Sequence, residues 1–67
     1  MNGIILDSNK ILLEMANQFL SIGEFCEKAD IFAGTYRRMM KGEAVKPKTA
    51  SKVAKALNVK VQDLLKD

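Results

Sequence analysis

Two punctuation marks, Ser21 with Glu24 and then Gly42, constrain this chain more than any other feature of it. In the pattern Ser-x-x-Glu the serine side chain accepts from the backbone N–H three residues on, and the glutamate accepts from the serine's own N–H, so a helix starts here. Gly42 can take the left-handed conformation that closes a helix. Twenty residues lie between the marks, room for two short helices only if a tight turn, expected around Ala29 to Phe32, divides them. In the first of the pair, Ile22, Phe25, Cys26 and Ala29 recur at helical steps and are expected to face inward, with Glu24, Glu27 and Lys28 outside. In the second, from Ala33 to Lys41, Tyr36, Met39 and Met40 are expected inside, and Thr35, Arg37, Arg38 and Lys41 outside.

The flanks supply further helices. Asp7 or Ser8 can cap a first helix running to about Gln18, with Ile11, Met15 and Phe19 along one side. Leu12 and Leu13 broaden that side. Ile4 to Leu6 can form an arm, a short strand or a partner contact, and residues 1–7 are read as a possible arm. A loop from Glu43 to Lys46 leads to Pro47, which suits a first helical turn, and Ala50, Val53, Ala54 and Leu57 then form the buried side of a fourth helix. Asn58 can end it. A last short helix near Val61 to Lys66 is expected to lay Val61, Leu64 and Leu65 over the bundle. The expectation is one domain over residues 1–67, all-α and compact, with five helices.

Composition removes several classes of function. A chain of 67 residues buries only about 60% of its unfolded surface, so its core is thin and no second domain is expected. With one cysteine and no histidine, an internal disulfide is impossible and the common zinc sites lack ligands. No cofactor is expected. No spaced carboxylate pair or phosphate-cradling glycine loop stands out, so the reading is not an enzyme. The apolar runs are far too short to span a bilayer and no signal-like start precedes them, so a cytoplasmic location is expected.

Charge is divided unevenly. Residues 1–35 hold two lysines against five acids, a net charge of −3, whereas residues 36–67 hold nine Lys or Arg against three acids, a net charge of +6. That asymmetry favours a polyanion as partner. Two helices joined by a tight turn form a helix-turn-helix, whose second helix can enter a DNA major groove with its first turn and one exposed side toward the bases. Ala33, Gly34, Thr35, Arg37 and Arg38 occupy those positions. Ala33 and Thr35 offer methyl contact to thymine, Gly34 lets the backbone approach, and either Arg can grip guanine bidentately. Arg38 is the main base reader in this reading, and Arg37 can equally hold a phosphate. Cations in a last turn also complement the helix dipole, which by itself can account for Lys41 and Arg38. Lys46 and Lys48 sit instead at a helix start, where the dipole disfavours them, and therefore point to an external phosphate. Lys52 and Lys55 read as a solvated face, Met39 and Met40 as core filler, and Cys26 as a packed thiol. Tyr36 reads as core, with a rim hydroxyl able to reach a phosphate.

From Ser8 to Leu65 the layout resembles the Cro and repressor type, Xre-like, helix-turn-helix DNA-binding domain of phage and bacterial transcriptional regulators. The Ser21 to Gly42 unit carries the resemblance, together with Ala-Lys-Ala-Leu-Asn-Val at 54–59 and then Val61, Leu64 and Leu65. Departures are Asp30 in the turn where the family usually has Gly, Phe32 where it has a polar cap, and Ile22 where it often has a phosphate-bracing Gln. The resemblance implies a lambda-repressor-like fold and binding to a palindromic operator as a homodimer, and the residues read as phosphate ligands are Ser21, Lys41, Lys46 and Lys48. It also sets Met15 and Met40 where the family commonly buries an Arg–Glu pair, implying a Met15–Met40 contact. The function implied is a small Cro-like repressor. A protein-interaction module of the same fold, antitoxin- or anti-repressor-like, is the alternative that apolar Leu12, Leu13, Ile22 and Phe32 suggest.

Overall fold

The computed structural model describes residues 3–67, so the first two residues of the expected arm lie outside it. Its elements are α1 (Ser8–Asn17), α2 (Ile22–Ala29), α3 (Ala33–Met40), α4 (Pro47–Ala56) and a 3-10 turn at Val61–Leu64. The fold is all-α as expected, with four α-helices rather than five among the described residues. The last element is a single 3-10 turn, shorter than the helix expected to reach Lys66, with Lys60 N–H donating to Asp63 Oδ2 at 3.1 Å across it.

Caps decide where the first two helices start. Asp7 Oδ1 accepts from the backbone N–H of Asn9 and Lys10 at 2.9 and 3.4 Å. At α2 the reciprocal pair is complete: Ser21 N–H donates to Glu24 Oε1 at 2.9 Å and Glu24 N–H to Ser21 Oγ at 3.1 Å. The Ser21 N–H bond holds the Glu24 carboxyl below its ordinary value near 4.5, because it favours the charged form.

Left-handed residues end the helices. Asp30 stands at φ 58° in the turn, Asn58 at φ 58° after α4, and Gly42 at φ 90° after α3. Asp and Asn tolerate that region and Gly enters it freely. Phe19 also stands there, at φ 57°, and this overturns one expectation: α1 stops at Asn17, and the Phe19 ring points outward, 91% exposed, instead of extending the Ile11 and Met15 stripe. Leu20 packs against the core in its place. Ile22 differs too. As the first residue of α2 it precedes the turn that meets the core, and it is 54% exposed.

The core gathers Ile11, Met15, Phe25, Ala29, Tyr36, Met39, Ala50, Val53, Ala54, Leu57 and Leu64, with Leu6 and Val45 from outside the helices. Phe25 and Tyr36 meet edge to face with centroids 5.8 Å apart. Met15 is buried and Met40 half-buried against the same core, and the polar neighbour of the Met15 sulfur is the Tyr36 hydroxyl at 4.0 Å. That hydroxyl therefore faces inward rather than toward an external phosphate. Burial, and secondarily Cys26, raise the Tyr36 pKa, and burial raises that of Cys26, so the phenol and the thiol both stay neutral at physiological pH.

Ile4 to Leu6 proves to be a short strand-like clip. Ile4 and Val45 exchange both backbone hydrogen bonds, at 2.7 and 2.8 Å. On the other edge Leu6 forms an antiparallel bridge with Leu65, flanked by Asp7 N–H to Leu64 O at 2.8 Å and Lys66 N–H to Ile5 O at 3.3 Å. The segment thus ties the loop before α4 to residues 64–66, and its own Leu6 side chain is buried. Lys10 Nζ adds a bond to Leu65 O at 2.8 Å.

Candidate nucleic-acid interface

Helix α3 shows solvent a small and cationic face. Ala33, Gly34, Arg37 and Arg38 are exposed and Thr35 is half-buried, while Tyr36 and Met39 anchor the other side. Helical side chains lean toward the N-terminus, and Arg38 follows that rule: its Nη1 lies 3.9 Å from the position a Cβ on Gly34 would occupy. The guanidinium is therefore laid back one turn along α3, above the glycine. It sits away from the C-terminal carbonyls, which removes the helix-dipole explanation for this residue.

Arg38 converges with residues from the next loop. A cleft of about 290 Å³ is lined by Thr35, Arg38, Ala44, Val45, Lys46 and Thr49. Thr35, Arg38 and Lys46 were expected from the sequence; Thr49 was not. Its signal was the three-residue step from Lys46, which puts both side chains at the mouth of the same helical turn. Lys48 is exposed but does not line this cleft. Lys41 is also apart, lining a second cleft of about 210 Å³ with Asp7, Ser8, Asn9, Met40 and Lys66. Ser21 is exposed, and its oxygen already accepts from Glu24 N–H, so the hydroxyl proton is what it can offer to a ligand.

The two helices that border the Arg38 cleft begin differently from the other two. Phe32 caps α3 and Lys46 caps α4, neither with a side-chain hydrogen bond, and like α1 neither helix has an acid in its first turn. The first ladder bond of α3 is donated by Tyr36 and that of α4 by Ala50, which leaves Ala33, Gly34 and Thr35 on one helix, and Lys48 and Thr49 on the other, as unsatisfied N–H donors. Pro47 contributes no N–H. Among the described residues the ion pairs are Lys10 with Asp67 at 3.5 Å and Lys52 with Asp30 at 3.6 Å. No carboxylate there pairs with Arg37, Arg38, Lys41, Lys46 or Lys48. Lys52 is less free than a solvated-face reading implies, since its Nζ also donates to Asp30 O at 3.4 Å and clamps the turn before α3.

An α-helix capped by Ser21, a left-handed turn at Asp30 and a second helix with an outward cationic face define a helix-turn-helix domain. The profile of the Cro/C1-type HTH DNA-binding domain matches residues 10–67, and the chain belongs to this family. A crystal structure of the transcriptional regulator VanUg has a similar fold, with a TM-score of 0.79 and 20% sequence identity over 98% of this chain and 88% of that one. No protein of curated function matches the sequence. Among the described residues no helix is long and apolar enough to cross a membrane, and no cluster of three or more His, Cys, Asp or Glu could hold a metal ion.

Proposed function

We propose that the protein is a sequence-specific, double-stranded DNA-binding transcriptional regulator, a small Cro-like repressor that reads the major groove with α3. Ala33, Gly34, Thr35, Arg37 and Arg38 face the bases, with Arg38 reaching guanine O6 and N7. Ser21, Lys41, Lys46 and Lys48 hold backbone phosphates, and Thr49 joins Lys46 in that role. The supporting observation is the Arg38 guanidinium, laid over Gly34 without a carboxylate partner and sharing a cleft with Lys46. Occupying an operator and excluding polymerase requires no catalytic step. A homodimer on a palindromic site places two α3 helices about 34 Å apart, one turn of the duplex.

Selection from random duplexes, followed by titration of two variants on the recovered site, tests this. Arg38→Ala should cost about 1–3 kcal/mol and relax preference at one base pair, whereas Lys48→Ala should weaken all sequences alike. Equal loss from both variants on every sequence refutes the Arg38 assignment.

The exposure of Leu12, Leu13, Ile22 and Phe32 favours one second reading, an interaction module with an apolar protein partner. That reading gains if duplex binding is absent or insensitive to salt.

A further inference from the structure

Phe32 is the most exposed apolar side chain beside α3, at 86%, and its position is fixed rather than frayed. Ile31 packs against the core and its N–H donates to Cys26 O at 3.0 Å, while Phe32 O accepts from Tyr36 N–H at 3.0 Å. With φ −82° and ψ 155°, the residue is an ordinary helix cap in backbone terms. Its side chain does none of the capping. Ser, Thr, Asp or Asn at this position would satisfy a helix N–H donor, so a phenyl ring this exposed forgoes local stability and returns little of it by burial. The residues that follow, Ala33 and Gly34, are small and exposed, which leaves the ring unobstructed at the leading tip of α3. Asp30, the nearest acid in sequence, is engaged by Lys52.

The major groove offers an apolar ring one kind of apolar partner in unmodified DNA. That partner is the C5-methyl group of thymine, which projects further into the groove than the C5–H of cytosine, the rest of the readable edge being donors and acceptors. We infer that Phe32 is a specificity-determining residue that packs on a thymine methyl, adjoining the bases read by Ala33 and Gly34, so that the operator carries a thymine at the position facing the tip of α3. This inference rests on the DNA-reading proposal and adds a base to it. Charge favours DNA over a protein partner at this spot, because Arg37 and Arg38 are exposed on the same helix with no carboxylate among the described residues paired to either.

The test uses the duplex recovered by binding-site selection with the full chain, with each thymine replaced singly by uracil, which removes only the methyl group. At one position uracil should weaken wild-type binding about 4-fold, the equivalent of burying one methyl-sized group. At that position the Phe32→Ser variant should bind thymine and uracil duplexes equally. Phe32→Ser should also melt at a higher temperature than the wild type, since it supplies the missing cap, so loss of folding cannot imitate the result. The inference is overturned if every uracil penalty survives in Phe32→Ser. It is equally overturned if Phe32→Ser leaves all duplex affinities unchanged and instead abolishes binding to a protein. Wild-type protein without salt-sensitive duplex binding would remove the parent proposal as well, whereas intact binding with unaltered uracil penalties removes the Phe32 assignment alone.

Discussion

Phe19 shows how a single residue can work against the fold that contains it. At φ 57° a bulky side chain crowds its own backbone, a strain of about 1–2 kcal/mol, and a ring 91% exposed returns little of that by packing. Replacement by glycine relieves the strain but adds about 0.4–1 kcal/mol of unfolded-state entropy. Phe19→Gly should therefore stabilise the protein by about 1 kcal/mol in urea unfolding; a destabilised variant would mean that the ring makes contacts the monomer does not display. The sequence hides this because Ile11, Met15 and Phe19 recur every four residues, and periodicity alone extends the helix one turn too far. Ile22 is hidden in the same way, since its step to Phe25 and Cys26 is helical but the first turn of α2 overhangs the core. Ser21 and Glu24 were legible, because a capping box is local chemistry that needs no tertiary context. With its folded pKa depressed, the Glu24 carboxylate contributes stability that is present above the ordinary value near 4.5 and is lost as pH falls through the folded one. The stability gap between wild type and Glu24→Ala should be open at neutral pH and narrow well below pH 4.5, measured by urea unfolding at each pH. A gap independent of pH would remove the charge from the account.

At the scale of elements, the clip formed by Ile4 to Leu6 couples the start of the chain to the candidate interface. Its hydrogen bonds to Val45 fix the residue directly before Lys46, and both Val45 and Lys46 line the Arg38 cleft. Gly3 makes this approach possible. A Cβ placed there would collide with Ala44 Cβ, too close for either backbone to stay where it is. Gly3→Val should therefore push the 44–46 loop outward, at a cost of about 1–3 kcal/mol typical of overpacking. Amide exchange at Val45 should speed up, and the salt slope of DNA binding should fall by about 1 if Lys46 loses its phosphate. Unchanged exchange at Val45 would show that the clip does not hold the loop. Three readings of Ile4 to Leu6 remained open in the sequence because a three-residue apolar run carries no periodicity, and its pairing partners lie roughly forty and sixty residues away, beyond any local pattern. The α4 face of Ala50, Val53, Ala54 and Leu57 was legible, since one stripe of one helix decides it, and Ala56 is buried beside it without having been expected.

Across the whole molecule, the division of charge acquires a spatial meaning. The basic half of the chain supplies Arg37 and Arg38 on α3 and Lys46 and Lys48 at the start of α4, while two of the acids in the first half, Asp7 and Glu24, are spent on helix caps and a third, Asp30, on Lys52. Their charge is partly offset by the helix N-termini and the lysine they contact. The cations beside the uncapped starts of α3 and α4 are thus left to meet a polyanion, and each Lys that neutralises a phosphate releases a counterion from the duplex. If Lys41, Lys46 and Lys48 each do so, the logarithm of the binding constant should fall against the logarithm of salt with a slope of roughly −3 for one protomer on a half-site. A two-fold dimer on the full palindrome doubles the contacts, and the slope should steepen to roughly −5 or −6. Measuring both slopes by fluorescence anisotropy separates the count of phosphates from the count of protomers, because the first sets the half-site value and the second sets the ratio. A ratio near one would refute the dimer while leaving the phosphate contacts standing. Lys41 lines a different cleft from Lys46. If it faces away from the duplex, Lys41→Ala leaves the half-site slope unchanged, and Lys46→Ala and Lys48→Ala each still reduce it by about one.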